Sequence, residues 1–427
     1  MDLTITPLSE VSQQADIEIS DAELQPHFRK AYEQFRPKAQ FRGFRKGKVP
    51  LDLVKKLYGE AIEQDALEGI AEEVYRRAME ERSIEPIGRP ALVNMDFKRG
   101  SHFRFSITYE IKPSIELKQY RSVKLERPVH TVTDEELERE LLQLRRANAR
   151  HVPVDRAEGT SVIVTADVQE VDEGGNPLIG KKQSGVKFPL YDESLQPRIR
   201  EALAAAETGH AYPVTLETTH EDHTHVAHYQ LTVTAIEREE LPEVDDEFAR
   251  SLTKGNVTTA AELRSSMRAD LVKYWEGLSA TRLKDALADE LVRRHEFTVP
   301  DSLVDAFLDS FLEDIRSRSR DRKLPADFNE ATFREENRAH AIWQAKWMLL
   351  RERIAEEEQI AVTDADLEAH AAEEAPRLGI APDRLLAYYK SAPSVRDRLL
   401  SDKVAQALLE SAKIKDVPWD QPSSIQQ

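Results

Sequence analysis

Gly43-Phe44-Arg45-Lys46-Gly47-Lys48-Val49-Pro50 interrupts two helical patterns, and the organisation of this 427-residue chain follows from what lies on either side of it. Two glycines and a closing proline make the segment a loop that can turn tightly at both shoulders. Upstream, Ser20 and Asp21 offer an N-cap for a helix over about 22–38. Downstream, Leu53, Leu57 and Ala61, with Val54, Tyr58 and Ile62, recur every three to four residues and predict a long helix over 51–82. Farther out, apolar and polar residues alternate in 3–6 and 15–19, the period of half-buried strands. Phe103, Phe105, Ile107, Tyr109 and Ile111 share one parity and predict another strand, with a partner at 91–95. Two helices flanked by strands make residues 1–112 an α+β domain.

Residues 113–150 read as a connector. Val123–Leu125 is extended, and Thr133-Asp-Glu-Glu136 is a capping box that opens a helix over 137–146. Alternation then dominates 153–236, with a turn at Gly174-Gly175-Asn176-Pro177, so 151–240 is a small β-rich domain. After Leu241-Pro242-Glu243 only helical periodicity is left, near 258–296, 301–318, 328–359, 363–374, 381–389 and 394–414. Residues 241–427 therefore read as an all-α domain whose polar end, Asp420-Gln-Pro-Ser-Ser-Ile-Gln-Gln427, frays. The fold class is multidomain α+β. Thin connectors between domains with little shared core predict an elongated, articulated molecule.

Composition narrows the function. The chain carries 60 Lys+Arg against 78 Asp+Glu, a net charge of −18, and has no cysteine. Disulfide scaffolds and cysteine-ligated metal centres are excluded. No apolar run reaches the ~20 residues that span a bilayer. The first twenty residues lack the basic and apolar regions of a secretory signal, so a reducing, cytoplasmic setting is expected. Charge is uneven. Between Arg29 and Lys56 ten basic residues face only Glu33 and Asp52, whereas 1–112 as a whole is nearly neutral. A basic loop with Phe44 at its tip suits an anionic surface. A solvated loop between two helices is the blander account of the same residues.

The wording of the loop bears on that choice. Gly43–Pro50 resembles the signature loop of the trigger factor family, bacterial chaperones that dock beside the ribosomal exit tunnel, and it sits between two long helices as it does there. Glu237–Ala249 resembles the family's exit from its middle domain. Leu349-Leu-Arg-Glu-Arg-Ile354 with Val362-Thr-Asp364 resembles its C-terminal arm. The resemblance implies a ribosome-binding domain (1–112), a connector (113–150), an FKBP-like prolyl isomerase domain (151–240) and a helical chaperone domain (241–427). It implies docking on the large ribosomal subunit, on protein and rRNA, through Gly43, Phe44, Arg45, Lys46, Gly47 and Lys48. It also implies nascent and unfolded polypeptides as clients, and a homodimer away from the ribosome. Physically, Arg45 and Lys46 supply charge, Phe44 an apolar anchor, and Gly43 and Gly47 the turn.

Prolyl isomerisation needs no nucleophile, metal or cofactor, only a dry aromatic pocket that favours the twisted amide over a barrier of ~18–20 kcal/mol. By the resemblance, Phe188 and Tyr229 fall at aromatic-wall positions and Ile199 at the pocket floor. Ala166 stands where the first strand would supply an aromatic, and Arg198 where the floor would have glycine. Tyr212 is a further aromatic of unassigned place. This partly lost motif predicts weak or absent isomerase activity. His220, His223, His225 and His228 fall within nine residues, and His223 and His225 would share a strand face, a spacing that can hold zinc. With no cysteine and acidic neighbours, a solvated loop running into a strand is the simpler account, and no metal is expected.

The C-terminal segment has amphipathic helices with Leu303, Phe307, Phe311, Ile315, Trp343, Trp347, Leu350, Ile354, Tyr388 and Tyr389, most of them core and some lining a client cradle whose residues the sequence does not single out. GxxxxGK[ST] is absent, so neither ATP nor any other cofactor is expected. An ATP-independent, ribosome-associated chaperone that assists folding and export is the leading expectation, with no membrane partner. A folding catalyst acting mainly as a prolyl isomerase is the alternative. A periplasmic chaperone-isomerase of similar layout would need a secretion signal.

Overall fold

The computed structural model describes residues 1–39, 44, 49–220, 223–319, 321–325 and 327–419, the side chains of 218–220 and 223–225 excepted. The chain divides into two compact units, one of residues 1–128 with 280–417, the other of 129–279 with 418–427.

The first unit opens with β1 (Asp2–Pro7), β2 (Ser12–Ser20), α1 (Asp21–Phe35), α2 (Leu51–Glu81), β3 (Ile87–Lys98) and β4 (His102–Glu110). The strands form one antiparallel sheet ordered β1-β2-β4-β3. Ile17 lies opposite Phe105 and Ala15 opposite Ile107, so the two-residue period turns Ala15, Ile17, Ile19, Phe103, Phe105, Ile107 and Tyr109 to one buried face. Leu24 and Phe28 of α1 and Ile70 and Val74 of α2 complete that core. The Ser20 backbone N–H and hydroxyl both donate to the Glu23 carboxylate, at 3.0 and 2.8 Å, which fixes where α1 begins. The helix stops earlier than its periodicity suggests because Pro37 has no N–H to continue the ladder. β3 runs longer than expected, with irregular pairing between Ile87 and Ala91. Gly88, at φ +68°, marks the irregularity, and a Cβ there would fall 2.4 Å from the Ser302 Cβ.

β5 (Lys124–Val129) follows. In the second unit come α3 (Asp134–Ala147), β6 (Arg150–Pro153), β7 (Val162–Val171), β8 (Pro177–Pro189), α4 (Pro197–Leu203), β9 (Ala211–His220), β10 (His223–Glu240) and α5 (Asp246–Leu252). β10 organises its sheet: β7 pairs along one edge, while β9 and then β6 share the other, and β8 continues beyond β7. Val162, Val164, Ala166, Leu190, Leu203, Leu231, Val233 and Ile236 form the core of this sheet.

α6 (Ala260–Arg294), α7 (Asp301–Arg318), α8 (Glu330–Glu357), α9 (Asp364–Leu378), α10 (Pro382–Ser391) and α11 (Pro393–Ser411) complete the helical part. Their main core joins Leu283, Leu287 and Leu291 of α6, Leu350 and Ile354 of α8, and Val404 and Leu408 of α11 to Val123 and Leu125. The expectation of helix alone after residue 241 needs one correction. β11 (Lys413–Pro418) pairs with β5, the Lys413 N–H donates to the Val123 carbonyl at 2.8 Å, and Arg127 meets Asp416 at 2.7 Å. Residues 123–129 expose backbone groups that a strand can satisfy and a helix cannot. The polar end from Asp420 onward lies outside the described residues.

Candidate functional site

The basic loop is held at its two shoulders. Ala39 and Val49, the described residues on either side of it, are both buried in the N-terminal core. Phe44 is 43% exposed. Gly43, Arg45, Lys46, Gly47 and Lys48 lie outside the described residues. On α2 the expected apolar stripe splits: Val54 and Ile62 are buried, whereas Leu57 and Tyr58 remain exposed, Tyr58 with its ring 5.5 Å from that of Phe35.

What keeps α1 and α2 in register is a group that the sequence reading passed over. Glu63 is buried at 4% exposure in the middle of α2. Its carboxylate accepts from the Tyr32 hydroxyl of α1 and from Arg99 Nη2 at 3.0 Å, and its other oxygen stands in an ion pair with Arg99 Nε at 2.8 Å. Arg99 sits in the β3–β4 turn, so a single carboxylate ties both loop-bearing helices to the sheet. Burial, and then the neighbouring Glu63, push the Tyr32 hydroxyl up to about 12, so it remains a donor at any working pH. Gly59 belongs to the same arrangement, since a Cβ there would lie 3.2 Å from Arg99 Nη2. The available signal was one acid inside the apolar pattern Ile62, Ala66, Leu67, Ile70.

In the β-rich domain, Phe188, Ile199 and Tyr229 come together around one apolar cluster. Phe188 is buried there, opposite Val164; Ile199 and Tyr229 are half-buried. Ala166 lies fully buried opposite both Val186 and Val233. Tyr212 packs against the same cluster, and its hydroxyl accepts the Glu207 N–H at 2.8 Å. Arg198 faces outward, 3.8 Å from Glu217. Of the four histidines, His228 shares a hydrogen bond of 2.9 Å with the Thr215 hydroxyl, and the imidazoles of His220, His223 and His225 lie outside the described side chains.

The helical residues divide clearly. Leu350, Ile354 and Tyr389 are core, whereas Tyr388 is exposed. Leu303, Phe307, Phe311 and Ile315 remain half-buried along α7. Phe311 lies 5.3 Å from the His340 ring, which stacks on Trp343 at 6.1 Å. The result is an aromatic ladder shared by two helices with one side still accessible. No helix among the described residues is long and apolar enough to cross a membrane.

Two family models match this chain, "Bacterial trigger factor protein (TF)" over residues 1–144 and "Bacterial trigger factor protein (TF) C-terminus" over 259–410. A trigger factor of Salinibacter ruber is 31% identical, over 97% of this chain and 94% of its own length. One of Chloroherpeton thalassium is 30% identical over 97% and 98%. Among solved structures, one described as "Promiscuous Substrate Recognition in Folding and Assembly Activities of the Trigger Factor Chaperone" shares the fold, with TM-score 0.53 at 20% identity over 96% of this chain and 99% of its own. With a likeness that runs from end to end of the chain and of its relatives, this protein belongs to the trigger factor family of chaperones.

Proposed function

We propose that this chaperone works at the ribosome, docking beside the exit tunnel of the large subunit through Gly43–Lys48 and shielding nascent polypeptides without ATP. The observation that carries the reading is the concentration of positive charge between Arg29 and Lys56 in a chain of net charge −18, on the end of α1, the start of α2 and the loop that joins them, with Ala39 and Val49 beside that loop buried. Such a patch is attracted to rRNA while the acidic remainder is repelled, so orientation comes from charge and the final fit from Phe44. Residues 1–112 serve docking, 151–240 form the isomerase-like domain, and 241–427 hold clients. The half-buried ladder of Phe307, Phe311 and Trp343 supports that last role, since it offers apolar surface without fixed geometry. The setting is the cytoplasm, and a homodimer forms when ribosomes are scarce.

Isomerase activity is proposed to be weak. A rotating X–Pro bond needs an open aromatic cavity, whereas Phe188 is packed into the domain core and Ala166 adds no ring. Co-sedimentation with purified ribosomes at low and moderate salt, native against Phe44/Arg45/Lys46→Ala, tests docking. Binding by the native chain that the variant loses, and that weakens with salt, is expected. Absence of native binding at low salt overturns the docking reading and leaves a free chaperone or an isomerase.

A further inference from the structure

The hairpin made by α7 and the first half of α8 has an apolar core of its own. Val304, Leu308 and Ala341 are buried in it, with Val299, Phe307, Phe311 and Ile342 packed around them. Asp301 meets Arg338 at 2.7 Å and Asp309 pairs with Arg334, so ion pairs brace the same two helices. This cluster is separate from the N-terminal core and from the core that joins α6, α8 and α11. The chain passes between the hairpin core and the latter at two places, from Phe297 to Val299 and from Ile342 to Trp347.

The contacts that set the hairpin against the N-terminal sheet are polar. Pro300 stands at the N-cap of α7 and offers no side-chain acceptor, so the first N–H groups of the helix need a partner from elsewhere. Glu110, at the end of β4, supplies it. Its carboxylate accepts the Asp301 N–H at 3.0 Å, the Ser302 N–H at 2.9 Å and the Ser302 hydroxyl. A negative group there also meets the positive pole of the helix. Glu10, between β1 and β2, accepts the Thr298 hydroxyl at 2.7 Å. Gly88 lets β3 come close, since a Cβ at that position would overlap the Ser302 side chain. Glu10, Thr298 and Asp301 are exposed, and Glu110 and Ser302 only half-buried, so water competes for these bonds. A polar joint of this kind opens more readily than the apolar cores on either side of it.

We propose that Glu110 and Glu10 form a latch between the N-terminal sheet and the α7–α8 hairpin. Closed, it completes the N-terminus of α7. Open, it lets the hairpin swing as a rigid body about the 297–299 and 342–347 junctions. Phe307, Phe311 and Trp343 travel with the hairpin, so the latch sets how far their ladder stands from the sheet.

The chain has no cysteine, so Lys98→Cys with Ser317→Cys places two spin labels and no others. Both positions are exposed, Lys98 at the end of β3 and Ser317 in the last turn of α7. The full-length labelled chain, diluted into unlabelled protein, is expected to give one narrow distance by pulsed electron resonance. Glu110→Ala removes the cap and is expected to shift the closed-to-open ratio toward open by roughly tenfold, seen as a second, longer distance. Gly88→Ala wedges the joint apart and should populate the same distance by an independent route. Amide exchange of 103–109 and 304–312 is followed in each variant, and protection is expected to persist because both cores stay intact. A distance unchanged by Glu110→Ala, or an unsubstituted chain as broadly distributed as the variant, overturns the proposal. So does lost protection over 304–312, which makes the change local melting of α7. Should Glu110→Ala unsettle 103–109, Thr298→Val and Gly88→Ala decide instead, and an unchanged distance in both overturns the latch.

Discussion

Removing Arg99, the exposed member of the Tyr32–Glu63–Arg99 cluster, is predicted to harm the N-terminal domain more than removing the buried tyrosine hydroxyl. In Arg99→Met the Glu63 carboxylate stays between α1 and α2 with only the Tyr32 hydroxyl to balance it. Breaking a fully buried pair costs about 3–5 kcal/mol. The Arg99 side chain is 55% exposed, so solvent already screens part of the interaction. We therefore expect about 2–3 kcal/mol, which is roughly 30- to 150-fold in a local opening equilibrium. Tyr32→Phe leaves Glu63 paired with Arg99 and removes one hydrogen bond to a charged group, about 1.5 kcal/mol or roughly tenfold. A multidomain chain does not unfold in one step, so the assay is native-state amide hydrogen exchange of 21–35 and 51–81 in the intact protein. An Arg99→Met effect equal to or smaller than that of Tyr32→Phe would refute the view that Glu63 is the charge holding these helices.

Three further outcomes are expected. The Asp366 carboxyl is held down to about 2, first by Lys403 at 2.8 Å and then by the backbone N–H and hydroxyl of Thr363. Because its pKa is depressed, its support of α9 is complete above pH ~4 and is lost as pH falls through about 2. Carbon NMR of the side chain should show that low midpoint, and an ordinary one near 4 would contradict it. Gly379 ends α9 at φ +66°, so Gly379→Ala should cost about 1–2 kcal/mol, read as faster exchange in the last turn of α9. Ala166→Tyr, which restores an aromatic on β7, should overpack the sheet core by about 1–3 kcal/mol without raising activity in a prolyl-peptide assay. A gain in turnover with unchanged protection would show that the cluster has room for a catalytic wall.

How much of this was legible beforehand depends on the range of the interaction concerned. The helices at 51–81 and 301–318 and the strands at 12–20 and 102–110 declare themselves through spacings of two to four residues, because a side chain's face is set by its own backbone period. The basic loop was equally plain, since glycine, proline and charge act locally. Phe188, Ile199 and Tyr229 could be named from the wording of their segments, yet not that Phe188 would be packed away in the core.

The sequence by itself thus specified which segments through most of the chain are helices and which are strands, where positive charge collects, and the family to which the chain belongs. Tertiary structure alone decided that residues 413–418 return to pair with 124–129, and that 280–417 form one compact unit with 1–128. It also decided that Glu63 reaches Arg99 across 36 residues, and that Glu68, Glu72, Glu80 and Glu85 line one groove. The physical reason is common to all four. Pairing energies between distant segments depend on which surfaces remain unsatisfied after local structure has formed, and no short-range period records that.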